Sequence, residues 1–128
     1  MTNVTKLLFN TPVAHADLTP LSAAELASLV FTVAIGSTSP VGDTVSTQHT
    51  VPNSNVSVGT VNPDGSKTVT VNFAELLPPF VPMDGVTYFA DIFDSINAPG
   101  GVLNSTDSAV ISFTNTSPPA PPTGFTVA

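Results

Sequence analysis

The chain has two histidines, His15 and His49, and no cysteine, so imidazole and carboxylate groups account for most of its possible reactivity. His15 and Asp17 could together bind a metal ion, because imidazole nitrogens and carboxylate oxygens are common metal ligands. Pairs with this spacing are common in loops, and neither histidine is near a nucleophile or a ligand cluster in the sequence. We therefore expect both histidines to lie in polar or loop-like surroundings, without a catalytic or metal-binding role.

Acidic and amide side chains form two further sets with possible chemistry. Asp91 and Asp94, together with either Asp84 or Asp107, could supply oxygen ligands for calcium. Four asparagines stand in Asn-x-Ser/Thr sequences, the acceptor pattern for glycosylation: Asn3, Asn55, Asn104 and Asn115. The aspartates lack the spacing of an EF-hand loop and are expected to be exposed charges, and the abundance of Asn, Ser and Thr explains the second set by chance. The sequence thus predicts a protein that is not an enzyme and binds no metal or cofactor.

The composition excludes several classes of partner. The 128 residues carry a net charge of −7, and Lys6 and Lys67 are the only lysines in a chain without arginine. Phosphate backbones and anionic membrane surfaces are bound mainly through Lys and Arg, so neither nucleic acid nor membrane is an expected partner. The first dozen residues lack a basic region followed by an apolar run, so no export signal is expected. The longest apolar-rich stretch, 21–35, is too short to span a bilayer.

Residues 66–95 contain the strongest structural pattern in the chain. In the first part of this stretch apolar residues alternate with polar ones, which is typical of a strand with one buried face: Val69, Val71 and Phe73. A corner interrupted by three prolines follows and ends at Gly85. Tyr88 and Ala90 then share one face of a second predicted strand. These two strands and their corner form the centre of the predicted fold.

Further strand-like segments occur on both sides of this centre. We expect 4–9 to form a first strand and 13–18 a second short extended piece. The nearly continuous apolar run 29–35 predicts a central strand covered on both faces. Residues 44–51 are expected to form an edge strand, and 109–113 the last core strand. About seven short strands with frequent turns predict an all-β protein.

One short helix is predicted before the central strand. Ser22 and Glu25 have the spacing of a capping box, in which each side chain accepts a hydrogen bond from a free backbone N–H. The residues between and after them favour one or two helical turns over 20–27. Alternatively, Thr19 is the cap and Pro20 the first helical residue.

Two turns have clear sequence signals. Pro63 and Gly65 belong to the sequence N-P-D-G, in which proline presets the second turn position and glycine adopts a positive φ at little cost. We expect this turn to join 56–61 to 67–73 as a hairpin. A second, glycine-rich turn is predicted at 97–101.

The second half of the chain resembles a fibronectin type III domain. Residues 85–114, with their Tyr-x-x-x-Ile strand, Asn-x-x-Gly turn and Ser-rich loop, are similar to the last two strands of that family. Residues 68–88 resemble the preceding strand and corner, and 119–128 the segment that opens the next module in tandem arrays. The resemblance implies an antiparallel, immunoglobulin-like β-sandwich over 1–117, followed by a proline-rich arm or linker, 118–128. The tryptophan usual in an early strand of the family is missing.

The resemblance also implies structural roles and a broad function. Tyr88, just after Gly85, would form a tyrosine corner, with its hydroxyl bonded to upstream backbone. Domains of this kind serve as adhesion, spacer or decoration modules on bacterial surfaces and tailed-phage virions. We expect a phage virion accessory subunit, of the capsid-decoration or fibre type, located in the virion. The alternative is a fibronectin-type spacer or adhesion module of a bacterial surface or secreted protein.

Two apolar segments are candidates for contact with partners. One contains Leu7, Leu8 and Phe9 near the start, and the other contains Phe125 and Val127 after the prolines. Each could add a strand to the sheet edge of a neighbouring subunit, such as a major capsid or tail protein, in an oligomeric assembly. The alternative is that both segments complete the domain's own sheets.

Overall fold

The structure of the chain is a computed structural model, which describes residues 3–37, 46–98, 100–106, 108–116 and 119–128. The predicted boundary between domain and arm and the candidate ligand Asp107 lie outside these ranges. The described residues form the following elements: β1 (Lys6–Asn10), α1 (Ala23–Ala27), β2 (Val30–Gly36), β3 (Thr47–Thr50), α2 (Asn53–Ser57), β4 (Thr60–Val61), β5 (Lys67–Asn72), a 3-10 turn (Phe73–Glu75), β6 (Thr87–Ala98), β7 (Gly101–Asn104) and β8 (Ile111–Thr114). Strands dominate, which confirms the all-β prediction.

The strands form two antiparallel sheets. In the first sheet β5 lies between β1 and β4, and in the second β2 lies between β3 and β6. β6 is 12 residues long. The second edge of β6 is shared by β8, which pairs with 87–90, and by β7, which pairs with 95–98. Among the described strands, β1 stands at one end of the first sheet and has a neighbour on one side only.

One hydrophobic core lies between the inner faces of the two sheets, which gives the fold a sandwich-like arrangement. β5 of the first sheet and β2 and β6 of the second supply most of its buried members: Val69, Val71, Phe31, Val33, Ile35, Tyr88 and Ala90. Leu7 and Phe9 of β1 are partly buried and pack against this cluster. Because burial of one large apolar side chain is worth about 1.5–3 kcal/mol, contact between the sheets is the main source of stability.

β2 is the central strand that the apolar run 29–35 predicts. Val33 pairs with His49 of β3 on one side and with Ile92 of β6 on the other. Five of the seven β2 residues are buried. β3 lies at the edge of its sheet, as predicted for 44–51.

The N-P-D-G turn joins β4 to β5, as predicted. The Gly65 N–H donates to the Asn62 carbonyl at 3.0 Å, and Gly65 has a φ of 88°, which glycine adopts easily. Pro63 stands at the second position of this turn. β4 has only two residues, because the chain before it forms α2. The prediction of a strand over 56–61 is therefore wrong in its first half, and so is the prediction of a single helix.

α1 begins with the capping box that the sequence predicts. The Glu25 N–H donates to Ser22 Oγ at 3.1 Å, and the Ser22 N–H donates to Glu25 Oε1 at 2.9 Å. Thr19, the alternative cap, bonds instead to the carboxylate of Asp17. Ser22 is therefore the N-terminal cap, and the helix begins at Ala23.

Three other predicted segments differ from the structure. Residues 13–18 form a turn instead of an extended piece, since Leu18 has a φ of 72° and its N–H donates to the His15 carbonyl at 2.9 Å. The turn predicted at 97–101 is the tip of a hairpin whose second strand, β7, was not predicted. The last strand, β8, begins two residues later than the predicted 109–113.

Candidate interaction surface

His15 has a structural partner in α1. Its Nε2 lies 3.2 Å from Glu25 Oε1 and 3.0 Å from Glu25 Oε2. The carboxylate of Glu25 also accepts the Ser22 N–H, and this backbone hydrogen bond is the main cause that lowers the Glu25 pKa, with His15 contributing less. Asp17 bonds to Thr19 and not to His15. Across the described ranges, no three His, Asp or Glu side chains are close enough to hold a metal ion.

His49 does not lie in the polar or loop-like surroundings that the sequence suggests. It is 4% exposed in β3, its Nδ1 lies 2.6 Å from the Pro78 carbonyl, and its Nε2 lies 2.9 Å from Thr47 Oγ1. The edge of its ring faces Phe80, with the ring centroids 5.7 Å apart. The burial of His49 could have been predicted from the alternation of faces along a strand, because His49 shares a face with buried Val51. His49 thus joins an edge strand to the proline corner.

The aspartates are less uniformly exposed than predicted. Asp91 is buried in β6, at 5% exposure, and pairs in register with Ala34 of β2. Asp94 is half-buried, and this burial raises the pKa of its carboxyl, with a smaller opposing effect from a hydrogen bond with Ser105. The expectation of exposed charges is therefore wrong for Asp91 and holds only in part for Asp94. Asp84 is exposed in the turn before β6.

Tyr88 lies at the start of β6 and is 8% exposed. Its hydroxyl accepts a hydrogen bond of 2.9 Å from the Met83 N–H, five residues upstream, which is the backbone contact expected from the sequence. Its ring lies edge-on to Phe80 and close to Phe113, with centroids 5.0 and 5.7 Å away. Gly85, with a φ of 80°, closes the turn between the donor and the acceptor. Tyr88 therefore fastens the proline corner to the core.

β1 presents an open sheet edge. Antiparallel strands direct the N–H and C=O of alternate residues to the same side. The Phe73 N–H donates to the Thr5 carbonyl and the Thr11 N–H to the Lys67 carbonyl, so the odd-numbered residues of β1 face β5. The backbone groups of the even-numbered residues, 6, 8 and 10, therefore point away from the sheet. We call these outward groups the β1 edge. Of the three predicted interface residues in β1, Leu8 is on this edge and 67% exposed, while Leu7 and Phe9 face the core.

A groove opens beside the β1 edge, between the two sheets. It has a volume of about 330 Å³, with Phe9 and Asn10 on one wall and Ile92 and Asp94 of β6 on the other. Phe31 of β2 also lines it. Ser105, Thr106 and Ser108 add to the lining, so the groove combines polar and apolar surface. It lies at the side of β1 where the described residues form no neighbouring strand.

Two asparagine side chains join the segment after β8 to the start of β1. The Val4 N–H donates to Asn115 Oδ1 at 2.9 Å, and Asn115 Nδ2 donates to the Val4 carbonyl at 2.8 Å. Asn3 Nδ2 donates to the Thr116 carbonyl at 2.9 Å, and the Thr116 N–H donates to Asn3 Oδ1 at 3.1 Å. We call these four hydrogen bonds the asparagine clamp. Its partners are more than 110 residues apart, so no local pattern could reveal it.

The arm, 118–128, is described from Pro119 onward. Phe125 is 98% and Val127 99% exposed, the highest values among the large apolar side chains of the described residues. The sequence left open whether these two residues contact a partner or complete a sheet of their own chain. In the structure they do not complete such a sheet. The arm contains no charged side chain. The described residues thus include an open edge, a groove of mixed polarity beside it and an exposed apolar arm.

Comparisons of the chain with protein-family models, curated proteins and solved structures found no match. Among the described residues, no helix has the length and apolar composition needed to cross a membrane. Function is therefore argued from the geometry of the interaction surface.

Proposed function

We propose that this protein is a non-enzymatic structural subunit that binds neighbouring proteins in a larger assembly. We further propose that the assembly is a phage virion, to whose exterior the chain is added as a capsid-decoration or fibre-type component. The first proposal depends mainly on the arm, in which the apolar side chains of Phe125 and Val127 are almost fully exposed. Exposed apolar segments of this kind mark sites of protein–protein contact.

The order of the strands supports a fibronectin- or immunoglobulin-like sandwich. In that architecture strands A, B, E and D form one sheet and strands C, F and G the other, with C′ added in some domains. If β1 is taken as B, then β2 to β6 follow as C, C′, D, E and F, and β8 as G, with neighbours as in that architecture. Strand A has no counterpart among the described strands, and β7 is an addition. Tyr88 then falls near the start of F, where the tyrosine corner of such domains lies. This agreement supports the resemblance on which the virion proposal depends.

The titratable side chains that could suggest an enzyme have structural partners instead. His15 contacts Glu25 in the capping box of α1, and His49 joins β3 to the proline corner. Asp64 accepts two hydrogen bonds from Ser66 within the hairpin turn. These contacts give all three side chains a role in the fold.

The test uses virions of a phage that carries the gene. We expect the chain to co-purify with virions at a fixed ratio to the major capsid or tail protein. Deletion of 118–128 should abolish this association and leave the melting temperature unchanged, because the described arm residues are exposed. A truncated chain that loses stability and still joins virions would show that the arm belongs to the fold. Virions that lack the intact chain would refute the virion proposal.

One observation favours the alternative function, a spacer or adhesion module of a bacterial surface or secreted protein. Residues 119–128 resemble the opening segment of a following module, and an exposed, proline-rich segment has the stiffness of a linker between domains. Recovery of the chain from the cell envelope, and not from virions, would support this alternative.

A further inference from the structure

We propose that the arm of one copy of this chain adds as a strand to the β1 edge of a second copy, with residues 125–127 beside the inter-sheet groove. Copies would then join head to tail. This inference rests on the proposed function, since it names the neighbour that the arm binds. It differs from that proposal because it requires no other protein.

The acceptor is the β1 edge. The alternation set by the β1–β5 pairing leaves the backbone groups of Lys6, Leu8 and Asn10 directed outward, where they can form a ladder with an incoming strand. Alternate side chains of such a strand would point inward, on the side of Leu7 and Phe9. There they would meet the groove of about 330 Å³, where Phe9, Phe31 and Ile92 lie beside several polar residues.

The donor is the end of the arm. Phe125 and Val127 are two residues apart, so in an extended strand both would project to one face while Thr126 projects to the other. Both are almost fully exposed and require no rearrangement of the core to become available. Insertion of the two side chains into the groove would therefore bury apolar surface on the donor and on the acceptor.

An extended arm cannot place residues 125–127 on the β1 edge of its own chain. Asn115 bonds to Val4 and Thr116 bonds to Asn3, so the chain after β8 runs opposite to β1 and leads away from Lys6 to Asn10. Residue 125 lies nine residues beyond Thr116, or about 28 Å in a polyproline conformation. The whole of β1 spans only about 14 Å, at roughly 3.4 Å per residue.

Charge does not oppose a contact with a second copy through the arm. The chain carries a net charge of −7, so two copies repel each other over most of their surfaces. Residues 108–128 contain no charged side chain, so the arm can approach another copy without adding to this repulsion. The acceptor edge includes Lys6, one of only two lysines. Because donor and acceptor are different surfaces, the contact is heterologous and can continue into a filament or close into a ring.

The first test uses three variants of the full chain. The arm variant Phe125→Ser/Val127→Ser removes the donor, and Leu8→Pro removes one outward N–H from the acceptor without touching a bond to β5. Val58→Ser is the control, since Val58 is 81% exposed but lies outside the β1 edge and the arm. Sedimentation equilibrium should show concentration-dependent oligomers for the intact chain and for Val58→Ser, and monomers for the arm variant and for Leu8→Pro. A mixture of the two monomeric variants should form one-to-one dimers, because each retains the surface that the other has lost.

The second test does not depend on the folding of Leu8→Pro. A synthetic peptide of residues 119–128 is titrated onto the arm variant and followed by NMR. The amides of Lys6, Leu8 and Asn10 should shift, and a peptide with both serine substitutions should bind at least tenfold more weakly, because a buried phenylalanine contributes strongly to affinity. Equal binding of both peptides, or shifts elsewhere only, would overturn the inference.

The inference would also be overturned if the intact chain stayed monomeric up to about 1 mM, since a dissociation constant above this value means very weak binding. The proposed function would survive that result if the monomer still joined virions through its arm. Conversely, oligomers of the intact chain together with virions that lack it would support the inference and refute the virion proposal.

Discussion

The substitution Tyr88→Phe tests the contact that fastens the proline corner. It removes the hydroxyl that accepts the Met83 N–H at 2.9 Å and keeps the ring, which packs on Phe80 and Phe113. The apolar contacts should therefore remain, and any loss of stability reports on the hydrogen bond. Tyr88 is also the only tyrosine in a chain without tryptophan, so tyrosine fluorescence of the parent protein reports on this corner alone.

The expected loss is about 1–3 kcal/mol in the free energy of unfolding, the range for a hydrogen bond whose removal leaves one buried partner unsatisfied. Met83 is 67% exposed, so water can partly replace the hydroxyl at its N–H, and a value near the lower limit is expected. For a chain of this size, each 1 kcal/mol corresponds to a fall of about 3–5 °C in melting temperature.

Urea denaturation followed by circular dichroism measures this change. Met83→Ala is the control, because it keeps the backbone N–H and removes a side chain that is mostly exposed, so its midpoint should be nearly that of the parent. If Tyr88→Phe has the same urea midpoint and slope as the parent protein, then the hydroxyl interacts with water in solution and the assignment of a tyrosine corner is wrong.

Three further predictions concern contacts elsewhere in the chain. Ser22→Ala should cost about 1 kcal/mol in urea denaturation, since it removes the cap of α1, and Ser22→Asp should retain most of the stability; equal losses for both would contradict the capping role. Hydrogen bonds from Ser66 hold the pKa of Asp64 below its ordinary value of 3.8, so this carboxylate stabilises the fold above that pH and the contribution is lost as the pH falls. Melting temperatures between pH 7 and pH 3 should therefore fall less steeply for Asp64→Asn than for the parent, and parallel curves would refute the assignment. His49→Leu should lower the unfolding free energy by about 1–3 kcal/mol, because Thr47 Oγ1 and the Pro78 carbonyl lose a buried partner; an unchanged midpoint would show that neither contact matters.

The parts of the fold that local patterns encode could be predicted from the sequence. Val69 and Val71 alternate with threonines, and both valines are fully buried in β5. The cap formed by Ser22 and Glu25 needs only residues three apart, so the sequence contains the whole signal. In both cases the residues that interact, or share a face, are close together in the chain.

α2 could not be predicted in this way, because its sequence favours a turn. Asparagine and serine are weak helix formers, since their side chains compete for backbone hydrogen bonds. The tertiary structure supplies what propensity lacks. Asn55 Nδ2 donates to the Thr70 carbonyl of β5 at 3.2 Å and lies 3.3 Å from the Glu75 carboxylate. These contacts hold the single helical turn against the sheet.

The candidate interaction surface was predicted only in part. Apolar character alone singled out Leu8, Phe125 and Val127, all of which are exposed. The open side of β1 depends on the order of strands, which no local pattern encodes. Asn115 was noted only for its Asn-x-Ser/Thr sequence, yet it is buried and bonds to Val4.

The asparagine clamp has a mechanical consequence. It joins the start of β1 to the segment that leads into the arm, so both strand ends emerge at one corner of the molecule. If copies are linked through β1 and the arm, a pulling force would enter and leave each subunit near this corner. The clamp would bear part of this load as four hydrogen bonds, and the pairing of β1 with β5 would bear the rest. A filament of such subunits could then stretch by opening the clamps in turn, with each domain still folded.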